Sequence, residues 1–176
     1  MDAHLNHHSP VATAEDRPAK TKPLLRGVSH EIALIFALAG GAVLILVAPS
    51  ARAVVAAAIY GGSLAALFGI SALYHRPTWP LRPRAVLKRL DHSMIFLFIA
   101  GTGTPFGLLQ GGSRGWVFLA AIWGGATLGV LRAVFWPKAP RWLTAGLYVA
   151  LGYFVVPLMP GLWRTAAPGV NQDALR

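Results

Sequence analysis

The feature that most limits how this chain can fold is a succession of five long apolar runs, near residues 32–48, 54–74, 93–109, 116–136 and 142–159, separated by short basic gaps. A hydrocarbon core takes roughly 17 to 25 helical residues to cross. Inside lipid every backbone N–H and C=O must be satisfied within the chain, so runs of this length must be helices. Composition agrees: the 176 residues are 55% hydrophobic and 12% charged, with mean hydropathy +0.55. That is more apolar surface than one soluble core can hide. The reading is an all-α, polytopic transmembrane helix bundle over residues 28–162, with polar tails at 1–27 and 163–176.

The formal net charge of +10 would suggest nucleic acid in a soluble chain. Here the basic residues sit in the gaps between apolar runs, where they set topology instead, and no nucleic-acid partner is expected. Twelve of the 16 Lys and Arg residues fall on one side of the alternating spans and four (Arg52, Arg114, Arg164, Arg176) on the other. The positive-inside rule therefore places the N-terminus in the cytoplasm. Residues 1–27, with His4, His7 and His8, read as a disordered cytoplasmic tail, because no apolar period runs through them. With no cysteine in the chain, a metal would have to be held by His, carboxylate or water.

The chemistry concentrates where the second span ends and the third begins. Ser71 and His75 lie four residues apart on one helical face, and Asp91 returns at about the same depth if the two spans form a hairpin. Such a convergence is a metal site, a proton relay or a buried ion pair. Ser29, His30 and Glu31 stand at the start of the first span, either as a polar helix start with Ser29 as N-cap and Glu31 in the favourable first turn, or with a role beside His75 and Asp91. Gly61-Gly62-Ser63 and Gly69 allow close helix contact. Arg82, Arg84, Lys88 and Arg89 read as a basic loop. Gly101-Thr-Gly-Thr-Pro105 reads as a bend in the third span, or as polar lining of a cavity. Trp116 and Trp136 bracket the fourth span as an interfacial belt, and Arg132 near its end reads as a snorkelling structural residue.

The motifs Val28-Ser-His-Glu31, Ser71-Ala-Leu-Tyr-His75, Arg89-Leu-Asp-His-Ser93 and Ile99-Ala-Gly-Thr-Gly-Thr-Pro105 occur in the order and spacing of the hemolysin III family, whose eukaryotic relatives are the progestin and adiponectin receptors. The likeness runs from about Gly27 to Met159. It implies a seven-helix bundle in the bacterial cytoplasmic (inner) membrane, with a cytoplasmic-side zinc site, lipid-amide or lipid-ester hydrolysis of the kind related membrane enzymes perform, and the pore-like haemolytic activity for which the bacterial members are named. Carried over by motif, His75 would be a zinc ligand, Asp91 would hold a zinc-bound water, and Ser71 would be a hydroxyl either in the active site or just behind the metal's ligands. The lipid bilayer and a lipid substrate are the implied partners, and oligomeric state is left open.

The family's two further histidine ligands form a His-x-x-x-His pair on its seventh helix, and no histidine follows His92 in this chain. Five spans are present of the family's seven, so the expectation is a fragment or shortened form. A catalytic zinc usually has three protein ligands plus water. The zinc site is thus expected to be incomplete here, binding zinc weakly or not at all, and the chain to be catalytically silent. The alternative is a membrane-permeabilising protein or cytolysin in which His75 and Asp91 are only a buried polar pair. The topology is testable with reporter fusions: a fusion after Ser113 should report the periplasm and one near Pro80 the cytoplasm, and the opposite pattern would reject this orientation.

Overall fold

The computed structural model describes residues 27–154 and residue 156. The expected tails, residues 1–27 apart from Gly27 and residues 163–176, lie outside the described residues, as does most of the fifth apolar run beyond Phe154. The described chain is all helical: α1 (Val28–Leu46), α2 (Ala51–His75), α3 (Leu81–Gln110), α4 (Gly112–Phe135) and α5 (Arg141–Tyr153). Four of them, α1 to α4, are long and apolar enough to cross a membrane. Together they make a polytopic helical bundle. Contacts show α1 antiparallel to α2 and α3 antiparallel to α4: Gly41 meets Gly61 and Gly27 meets Arg76 across the first pair, while Gly107 meets Leu119 and Phe96 meets Gly129 across the second.

Local signals explain most boundaries. The Ser50 hydroxyl caps α2, accepting from Ala53 N–H at 3.2 Å, one of the N-terminal donors that a helix cannot satisfy itself. At the other end of α2 the Trp79 indole N–H donates to the Leu73 carbonyl at 2.8 Å. The start of α1 differs from the expected Ser29 cap. Gly27 is the N-cap, at φ 87°, and its carbonyl accepts from both His30 N–H and Glu31 N–H. Ser29 is already inside the helix, and Glu31 keeps its expected first-turn place.

The basic stretch also differs from expectation. Arg82, Arg84, Lys88 and Arg89 are not a loop but the first turns of α3, which starts behind Pro80 and runs 30 residues. Proline is tolerated in a first turn because its missing N–H has no helical acceptor there, so Pro80 and Pro83 open the helix. At 1.5 Å per residue α3 is about 45 Å long, well beyond the ~30 Å of hydrocarbon. Its basic turns therefore extend past the apolar layer. The helix also runs through Pro105. Thr102 and Thr104 hydroxyls donate back to Phe98 and Ala100 carbonyls at 2.8 Å, and buried Thr104 also accepts from the Trp123 indole at 3.0 Å. This polar group is consumed at the α3–α4 seam.

The core lies along that seam: Phe96, Ala100, Phe118, Leu119, Ile122, Ala126 and Ala133, joined by Tyr148 and Leu151 from α5. Ile35, Phe36 and Leu46 of α1 and Val117 and Leu128 of α4 point outward, the pattern of lipid-facing surface. Lipid tails are as apolar as leucine, so helices associate by close packing rather than by hydrophobic burial. At the α1–α2 crossing a Cβ on Gly61 would stand 3.0 Å from the Gly41 Cα, while one on Gly40 or Gly62 would meet nothing within 4 Å. Gly61→Leu should thus destabilise the detergent-solubilised protein by at least the ~1–3 kcal/mol of overpacking, and Gly62→Leu should leave the thermal melt nearly unchanged. Equal melts for the two variants would show that this crossing does not hold α1.

Candidate functional site

All the sequence-predicted site residues lie at one end of the bundle, where α1 begins, α2 ends, α3 begins, α4 ends and α5 begins. On the α1–α2 side, the αL backbone of Gly27 lets the chain turn tightly against the end of α2. A Cβ there would be 3.1 Å from Arg76 N and 3.3 Å from His75 Cβ. This turn sets the His30 ring on the His75 ring, with centroids 5.6 Å apart and planes 16° from parallel. Phe68 and Tyr74 close the group, with ring centroids 6.2 Å from His30 and 4.6 Å from His75 respectively. Beside it Arg76 Nε stands 3.3 Å from Glu31 Oε1, a pair with both side chains about half exposed. Ser71 is buried one turn before His75, on the same face of α2 as the i, i+4 spacing requires.

Asp91 has the ring of its chain neighbour His92 beside it. Its side chain is largely buried, and its Oδ2 stands 3.9 Å from Nδ1 of the adjacent His92. His92, which helical geometry would turn about 100° away, folds its ring back so that Nδ1 also lies 2.7 Å from the Lys88 carbonyl. The Tyr148 hydroxyl of α5 donates to the His92 carbonyl at 3.2 Å, and the Tyr148 ring packs on Phe96, centroids 4.5 Å apart. Tyr148 lies within electrostatic reach of both Asp91 and Arg132. Sequence reasoning passed over Tyr148; the signal available was a hydroxyl-bearing aromatic in an otherwise apolar run.

Of the candidate metal donors, the structure therefore brings His30 to His75, and sets Asp91 against His92. Among the described residues no group of three His, Cys, Asp or Glu side chains is placed to hold a metal ion. By themselves they do not fit the three-ligand cage of a catalytic zinc.

The family model "Haemolysin-III related" matches residues 19–175, further at both ends than the Gly27 to Met159 stretch that carries the motifs, and including the polar residues after Trp163. The chain is similar to "Hemolysin-3" of Bacillus cereus, 33% identical over 146 residues that cover 80% of this chain and 65% of the relative. It is also similar to "Hemolysin-3 homolog" of Bacillus subtilis (strain 168), 30% identical over 138 residues that cover 76% of this chain and 64% of the relative. The chain thus spans about two thirds of the length of the curated relatives it matches. No solved structure matches it.

The His30–His75 stack depends on Gly27 more than on the ion pair beside it. A left-handed residue with a side chain costs about 1–2 kcal/mol, whereas an exposed ion pair contributes about 0–1 kcal/mol. Gly27→Ala is expected to lower stability by more than Glu31→Gln does, as read from melts of the two variants side by side. The reverse order would show that the Glu31–Arg76 pair, not the turn, docks α1 on α2.

Proposed function

The chain belongs to the haemolysin III family, and from that premise we propose that it is an integral protein of a bacterial cytoplasmic membrane, N-terminus inside, whose working centre is the histidine-bearing end of the bundle. In this reading the end faces the cytoplasm, as the charge asymmetry favours, and Ser71, His75 and Asp91 are its contribution to a hydrolytic site for a lipid amide or ester. The observation that carries the reading is the stacking of His30 on His75, one turn from buried Ser71. Two imidazoles and a hydroxyl beside a membrane boundary are costly to place unless they are used.

The donor set limits what this chain does unaided. Among the described residues the two stacked imidazoles are short of the three protein ligands that hold a catalytic zinc, and on this reading the chain binds zinc weakly and is silent as a hydrolase. A second reading, membrane permeabilisation, draws on the name Hemolysin-3 carried by the Bacillus cereus relative; there the histidines serve packing alone. Leakage of a dye from liposomes tests this second reading: the parent chain should release dye and His75→Ala should release as much, whereas no release by the parent would reject it.

Zinc analysis tests the first reading directly. The purified chain should carry clearly less than one zinc per molecule, and His30→Ala and His75→Ala should each remove what little binds. Near-stoichiometric zinc in the parent, lost in both variants, would mean that this chain completes the site after all.

A further inference from the structure

A second polar region lies on the other side of the same end, where α3, the end of α4 and the start of α5 enclose a cleft of about 800 Å³. Five cationic side chains line it: Lys88 and Arg89 from α3, Arg132 from α4, and Lys138 and Arg141 from the α4–α5 connection and the start of α5. None of the described residues lining the cleft is acidic, and none of the five cations forms an ion pair with a described carboxylate. Asp91 stands nearby but is turned to His92. Arg132 is half-buried, and its Nε is buried with no hydrogen-bond partner. Buried guanidinium N–H groups are normally paired, so this one is a donor waiting for an acceptor from outside the described chain.

We propose that this cleft binds the phosphate headgroup of an anionic phospholipid. Its depth fits that ligand. Trp136 and Trp142, both exposed, flank the α4–α5 connection, and exposed tryptophans of membrane helices sit at headgroup level. Its chemistry fits as well. Guanidinium groups hold phosphate oxygens through paired N–H donors, and Lys88 and Lys138 add positive charge. Ile95, Ala133 and Ala145 supply apolar lining, against which the glycerol and first acyl carbons of a lipid would lie. Basic pockets between transmembrane helices recognise anionic headgroups in this way. The inference is independent of the hydrolytic reading, since it uses neither Ser71, His75 nor Asp91.

The test uses the full chain in nanodiscs of phosphatidylcholine doped with phosphatidylglycerol, with native mass spectrometry counting the retained lipid. Retention of phosphatidylglycerol over phosphatidylcholine is expected. Each of Arg132→Gln and Arg141→Gln should weaken it about fivefold, the effect of one cation at an anionic surface, while Arg52→Gln at the opposite end should not. Arg132→Lys, which keeps the charge but not the fork, should fold and still lose part of the preference. Inorganic phosphate in the low millimolar range should not displace the lipid; if it does, the site takes free phosphate and the lipid assignment fails. Equal retention of both lipids, or equal losses in Arg52→Gln, would overturn the proposal, the first outcome being that expected if another protein segment fills the cleft.

Discussion

Close approach of α3 to its two neighbours is the contact on which the rest of this bundle rests. A Cβ on Gly101 would collide with the Ser63 hydroxyl of α2. One on Gly103 or Gly107 would collide with Ile122 or Leu119 of α4, and one on Gly129 of α4 with the Phe96 ring. Without glycine at these places the helices would separate by the width of a side chain. In lipid no hydrophobic term would draw them back. Because α3 is held on both sides, its register fixes where Asp91, His92 and the basic turns emerge.

Two polar neighbourhoods result at one end of the molecule, each built by a different set of helices. The first belongs to α1 and α2: Gly27, His30, Glu31, His75 and Arg76, with Ser71 just beneath. The second belongs to α3, α4 and α5: Lys88, His92, Arg132, Arg141 and Tyr148, with Asp91 at its edge. The residues that carry the family motifs are divided between them, which is why the described donors do not form a single metal cage. Charge in this region is tolerated because it stands at the ends of helices, where long side chains reach the interface.

Much of this was legible in the sequence, because lipid imposes a helix on any apolar run of sufficient length. The existence and order of the helices, the family, and the gathering of Ser71, His75 and Asp91 at one end follow from run lengths, motifs and alternating direction. Boundaries were less legible. The basic residues 82–89 look like a loop by charge, yet Pro80 and Pro83 are the signature of a helix start, and α3 begins there. Pro105 reads as a bend or a polar lining, and α3 runs through it while Thr102 and Thr104 bond back to the Phe98 and Ala100 carbonyls and the Trp123 indole donates to Thr104.

The sequence by itself determined a membrane-crossing helical protein of this family with the described histidines and most of the described cations at one end of the bundle, since span length and charge placement are local properties read along one dimension. Tertiary structure alone decided which of those groups meet. That His30 stacks on His75 depends on a positive φ at Gly27 and on the Gly41–Gly61 crossing. That Arg132 lines a basic cleft with Lys88 and Arg141, and that α5 packs across α3 with the Tyr148 ring on Phe96, are likewise tertiary outcomes. Such contacts join residues far apart in the chain, and their geometry is set by side-chain volumes at the seams, which no pattern of hydropathy encodes.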